Sequence, residues 1–194
     1  MGSTLSYSQS QCYSRGWPSS RPADILYSSK IKVRPMSNFE RELVISFNDY
    51  FGESGLDAIA YRMKQHRFSQ QMLDILVDSS DRRLYLGIEC KSISASKGAT
   101  ALYFSQHFSV NKRGEHQVTK MQEFIRKSGR TGYLAVELRM GSGKSKAAYF
   151  ITWPDVWRRY IEGHAGFSIE EIKGTEPIVR NEGKYAVEGL FVRR

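Results

Sequence analysis

Two carboxylates and a lysine stand where the neighbouring side chains are apolar. Asp74 lies inside Leu73-Asp74-Ile75-Leu76-Val77, and Glu89 inside Gly87-Ile88-Glu89-Cys90-Lys91. Burying an unpaired carboxylate costs several kcal/mol, so acids in such runs are expected to be paired or to meet a cation. Alternation along a strand puts Glu89 and Lys91 on one face. If Asp74 is on the neighbouring strand, all three converge. Phosphodiester hydrolysis suits that set. Carboxylates at this density can hold a hard cation, Mg²⁺ first and Mn²⁺ as the alternative, which neutralises a phosphate oxygen and lowers the pKa of water. The Cys90 carbonyl is a further oxygen ligand, and Lys91 orients the attacking water or stabilises charge on the phosphate. The competing reading is a carboxylate–lysine bridge that ties two strands together. Glu-x-Lys alone is common; the upstream Asp in a strand gives the set its specificity.

The elements that must position these residues follow from periodicity. Phe39, Leu43, Val44 and Phe47 recur at helical spacing, which predicts a helix from Ser37 or Asn38 to about Phe51. Strands are expected over Leu56–Arg62, Met72–Val77 and Leu84–Cys90, the last two joined by the polar turn Asp78–Arg83. Residues 92–114 read as a long polar loop. A second helix runs from Glu115 to about Lys127, ended by Ser128-Gly129. Thr131–Leu138 and Ala147–Thr152 alternate as strands, and Asp155–Tyr160 follows Pro154 as a short helix. Ile178-Val179 and Ala186–Val192 read as short strands. The order predicts an α/β domain with a central mixed β-sheet flanked by helices.

Composition narrows the partners. Lys and Arg number 29 against 20 Asp and Glu, a formal net charge of +9. That excess favours a polyanion, DNA first, with solubility as the plainer use of the charge. The hydrophobic fraction of 40% supports a packed core over residues 36–194. Residues 1–35 are rich in Ser, Tyr, Arg and Pro with Asp24 as the only acid. They read as a disordered basic arm, with a DNA-contacting arm and a transit peptide as the other readings. Cys12 and Cys90 cannot build a disulfide framework or a cysteine zinc site. No apolar run reaches spanning length, so no membrane association is expected and the expected location is cytoplasmic.

Asp74 with Glu89-Cys90-Lys91 resembles the PD-(D/E)XK nuclease motif, with Leu73 in place of its proline. Phe39-Glu40-Arg41-Glu42-Leu43-Val44 is similar to the first helix of archaeal Hjc-type Holliday junction resolvases, and the tail from Phe167 to Leu190 is similar to the bacterial RecU type. The resemblance covers roughly residues 37–155 and implies a restriction-endonuclease-like fold. It implies a metal-dependent homodimer that cuts four-way DNA junctions in recombination and repair. It also implies that Glu40 completes the metal site and that Gln117 assists catalysis. A restriction or repair nuclease on the same fold and a non-catalytic DNA-binding module are the rival readings. The Ser-bearing loop that Hjc proteins carry before the Asp is replaced by Tyr61–Gln71, and residues 92–112 are longer than in Hjc.

Some positions keep two readings. Glu40 and Glu42 both suit the first helix, and Asp78 replaces Asp74 if the register slips. Glu40 also serves as an ordinary first-turn acid. Arg62, Lys64 and Arg67, with Lys97, Lys112 and Arg113, are the expected phosphate contacts. Gly141-Ser142-Gly143-Lys144-Ser145 lacks the first Walker glycine, because Leu138 stands there, and reads as a basic hairpin turn. Trp153, Trp157 and Tyr160 are expected in the core or at a dimer surface.

Overall fold

The computed structural model describes residues 38–63, 72–141, 143–144 and 146–191. The expected N-terminal arm and the expected phosphate contacts Lys64 and Arg67 lie outside them. The elements in chain order are α1 (Asn38–Glu53), β1 (Ala58–Arg62), β2 (Ile75–Ser79), β3 (Leu86–Ile93), β4 (Ala101–Tyr103), α2 (Phe104–His107) and α3 (Gln117–Ser128). There follow β5 (Thr131–Leu138), β6 (Ala147–Thr152), α4 (Trp153–Ile161), β7 (Gly166–Ser168), α5 (Ile169–Lys173), β8 (Pro177–Asn181) and β9 (Lys184–Tyr185). Among the described residues, seven strands form one sheet in the order β1-β2-β3-β5-β6-β8-β9. β3 and β5 run parallel, and the other ladders are antiparallel. The fold is therefore α/β around a mixed sheet.

The two faces of that sheet carry separate cores. Phe39, Leu43, Phe47 and Phe51 are spaced by four and all buried, so one stripe of α1 lies on the sheet. It packs with Ile75, Val77, Leu86, Ile88, Ala135 and Phe150. Burial of each such side chain contributes about 1.5–3 kcal/mol. On the other face, Val118, Met121 and Ile125 of α3 meet Trp153 and Val156 of α4, over Leu134, Val136 and Ile151. Gly132 makes this approach possible. A Cβ there would stand 2.5 Å from Ile125 Cδ1 and 2.7 Å from Trp153 Cβ. The outer strand β1 is guarded by Asn48, whose side-chain amide donates to the Ala60 carbonyl and accepts from the Ala60 amide. That side chain replaces the peptide a neighbouring strand would offer.

Several expectations shift. The hairpin strands lie two to three residues later than periodicity suggests, at Ile75–Ser79 and Leu86–Ile93. A 3-10 turn at Arg82–Leu84 closes the hairpin, with Asp81 as its cap. The segment 92–114 is not a plain loop. It contains β4 and α2, and it buries Leu102, Phe104 and Phe108. β4 pairs with β7 in a small second sheet. Elements of three or four residues are too short to show a period. The expected strand over Ala186–Val192 is a 3-10 turn at Val187–Leu190, preceded by the two-residue β9. Trp153 is 2% exposed, a core residue whose indole N–H donates to Gln122.

Candidate active site

The site forms where two neighbouring strands stop matching. The β2–β3 ladder joins Ile75–Val77 to Leu86–Ile88, yet β3 continues to Ile93. Asp74 sits at that fork. Its backbone amide donates to the Ile88 carbonyl at 3.0 Å, and its carboxylate accepts from the Cys90 amide at 2.8 Å. The side chain thus takes the hydrogen bond that a continuing strand would have taken, and this brings it beside Glu89.

Glu89 projects to the α3 face and is 2% exposed. Its Oε1 accepts from Lys91 Nζ at 2.6 Å and from Gln117 Nε2 at 3.1 Å. Its Oε2 is buried with no donor. Burial and the Asp74 charge push the Glu89 carboxyl up to about 8, against the pull of Lys91. Burial also raises Asp74, opposed by the Cys90 amide and the Lys91 charge. Glu40 is raised by burial and then by Asp74, opposed by Arg62. Burial therefore favours the uncharged form of each of these three carboxyls, a cost that a cation bound among them would offset.

The segment before α3 positions the two polar partners of Glu89. Ser109 donates its backbone amide to Gln117 Oε1 at 3.1 Å and accepts the Gln117 backbone amide at 2.8 Å. The Gln117 amide is thereby oriented with its NH₂ toward Glu89. Lys91 Nζ lies 4.6 Å from the centroid of the buried Phe108 ring, a cation–π contact. Sequence reasoning missed Phe108 and Ser109, since the segment carrying them read as an aperiodic loop.

The alternatives at the site separate by their partners. Asp78 accepts from Tyr61 at 2.6 Å and from Arg130 at 2.5 Å, while Asp74 stands beside Glu89. Glu42 is bidentate with Arg180 of β8 at 2.8 and 2.9 Å, while Glu40 senses the Asp74 charge. Arg62, expected to hold phosphate, is ion-paired with Glu40. Lys97, Lys112 and Arg113 are exposed. His107 and His116 make local contacts to Tyr103 and to the first turn of α3. A cavity of about 610 Å³ lined by Tyr133, Phe150, Thr152, Pro177 and Leu190 contains none of the site residues.

Among the described residues, no three His, Cys, Asp or Glu side chains already surround one point as a metal cage. Mg²⁺ does not require one, because it is usually bound by one or two carboxylates with waters and substrate phosphate. The donor-free Oε2 of Glu89, the adjacent Asp74 and the raised carboxyls fit a divalent cation.

No family profile matches the sequence, and no curated protein matches it. Among solved structures, Archaeoglobus fulgidus Hjc, a Holliday junction resolvase from an archaeal hyperthermophile, aligns at 18% identity over 69% of this chain and 94% of that chain. The TM-score is 0.39. No helix among the described residues is long and apolar enough to cross a membrane.

Proposed function

We propose that this protein is a divalent-metal-dependent DNA endonuclease with a restriction-endonuclease-like fold. The observation that carries the reading is the meeting of Asp74, Glu89 and Lys91 at the fork where β2 ends and β3 continues. Asp74, Glu89 and the Cys90 carbonyl would hold Mg²⁺, with Mn²⁺ as the alternative, and Glu40 would assist from α1. The cation, when bound, supplies neutralisation of a phosphate oxygen and a more acidic water. Hydrolysis forms one P–O bond to the oxygen of water and breaks one P–O ester bond. Water loses a proton to solvent, and the leaving oxygen gains one. With a cation present, Lys91 is free to turn from Glu89 toward the phosphate and stabilise its developing charge. Gln117 keeps the Glu89 carboxylate in place.

Four-way junctions are the proposed preferred substrate, as the sequence resemblance to junction resolvases implies. One site cuts one strand at a time, and a junction offers two strands related by a twofold axis. A symmetric homodimer would supply the second site. Lys97, Lys112 and Arg113 would contact phosphates.

The test is to incubate the protein with labelled junction, duplex, flap and single strand, in Mg²⁺ and in chelator. Metal-dependent cleavage, strongest on the junction, supports the reading. Equal cleavage of duplex and junction points to another nuclease of this chemistry. DNA binding without any cleavage points to a non-catalytic DNA-binding module.

A further inference from the structure

Beyond the acidic fork, two stretches of the chain carry cations and no acid. Residues 91–114 and 138–154 contain no Asp or Glu. These two stretches meet in space where β3 and β5, the parallel pair, end. The Ser96 amide donates to the Arg139 carbonyl at 3.2 Å, and the Arg139 amide donates to the Ile93 carbonyl at 2.8 Å. Lys97 ends the turn after β3, and Arg139, Lys144 and Lys146 line the hairpin between β5 and β6. Lys97 and Lys144 are exposed, and among the described residues neither pairs with a carboxylate.

The acid beneath these cations is hidden. Glu137 is 0% exposed, on the opposite face of β5 from its neighbour Val136. Its carboxylate accepts from Arg139 Nε at 2.7 Å, Ser92 Oγ at 3.1 Å and Tyr185 OH at 3.2 Å, and Lys146 Nζ stands 3.4 Å away. Burial alone would raise the Glu137 carboxyl, but Arg139 and Lys146 hold it below its ordinary range, so it stays ionised. A buried anion with this many partners fixes the stems of Arg139 and Lys146, while both cations keep donors on their exposed sides. Fixing them in advance lowers the entropy lost when they meet a ligand.

We propose that Lys97, Arg139, Lys144 and Lys146 form a phosphate-gripping ridge, anchored by Glu137, that holds the backbone of a nucleic-acid arm at the ends of β3 and β5. The proposal rests on the nucleic-acid reading above and names a contact surface for it. A nucleic-acid backbone fits better than an anionic membrane. Among the described residues, Val179, which pairs with Ala147 beside Lys146, is the one exposed large hydrophobic residue next to the ridge, and a single valine is too little apolar surface to insert among acyl chains.

The experiment is fluorescence anisotropy of the full chain with labelled duplex and four-way junction DNA across a salt series, without metal. Joint Lys97→Ala and Lys144→Ala replacement should weaken binding about tenfold or more and reduce the log–log salt slope by about 2, close to one for each phosphate that is no longer neutralised. Arg126→Ala, at the other end of β5 on the last turn of α3, should leave the slope unchanged. Glu137→Gln raises the net charge yet should weaken binding about threefold, because Arg139 and Lys146 lose their anchor; tighter binding would contradict the anchoring role. If the wild type binds DNA and the double variant matches it in affinity and slope, the ridge is wrong while the nuclease reading stands. If the wild type binds anionic phosphatidylserine vesicles and no DNA, both fall.

Discussion

Replacing Glu89 by glutamine in the metal-free protein should stabilise it, and increasingly so as pH rises. The amide keeps an oxygen to accept from Lys91 and Gln117 and removes the charge that burial and Asp74 oppose. The Glu89 carboxyl is held near 8 instead of its ordinary 4.5. Below about pH 4.5 the carboxyl is protonated in both folded and unfolded chains, so it costs nothing. Between about pH 4.5 and 8 the unfolded chain releases this proton while the folded chain retains it, and stability falls. Above about pH 8 the loss is complete. The upper bound on that loss is about 5 kcal/mol, and relaxation of the site should leave about 2–4 kcal/mol. The assay is urea unfolding in chelator at a series of pH values for wild type and Glu89→Gln. The gap should be near zero at about pH 4.5 and reach about 2–4 kcal/mol at about pH 9 in favour of the variant. Millimolar Mg²⁺ should then stabilise the wild type and leave the variant unmoved. A gap that stays flat across pH would refute the strained-carboxylate argument.

Other consequences concern packing, positioning and assembly. Gly132→Ala should cost about 1–3 kcal/mol in the same unfolding assay, because the new methyl meets Ile125 and Trp153. Phe108→Leu should lower the single-turnover cleavage rate about threefold to tenfold with DNA affinity unchanged, and Phe108→Tyr, which keeps a π face over Lys91, should restore it; equal rates for Leu and Tyr would deny the ring a positioning role. Sedimentation should show a symmetric dimer that nicks two opposed strands of a junction, and a monomer cutting duplex and junction equally would overturn the junction preference alone.

The sequence exposed the sheet strands and the acidic set for one physical reason. Asp74 and Glu89 interrupt apolar runs, and the largely buried strands Leu86–Ile93, Thr131–Leu138 and Ala147–Thr152, six to eight residues long, stand out as apolar runs between polar turns. The basic turn between β5 and β6 was legible from its glycines, and Trp153, open in the sequence between the core and a dimer surface, is a core residue. What the sequence hid was non-local. β4 and α2 are too short to show a period, and they are stable only because Leu102, Phe104 and Phe108 find a core supplied by β7 and α4. The orientation of Gln117 depends on Ser109, and the pairing of Arg62 with Glu40 depends on where α1 crosses β1. Glu137 carried a signal that could have been used: it is an acid inside the apolar strand Tyr133–Leu138, as Glu89 is inside its own.

The central claim is that Asp74 and Glu89 act on the reaction and leave DNA binding to other residues. Cleavage of a labelled four-way junction and its binding should be measured on the same preparations of wild type, Asp74→Asn and Glu89→Gln, with Mg²⁺ and with chelator. The account predicts Mg²⁺-dependent cleavage by the wild type, cleavage by both variants at the level of the chelated control, and near-wild-type affinity in all three. Substantial Mg²⁺-dependent cleavage by both variants would contradict it.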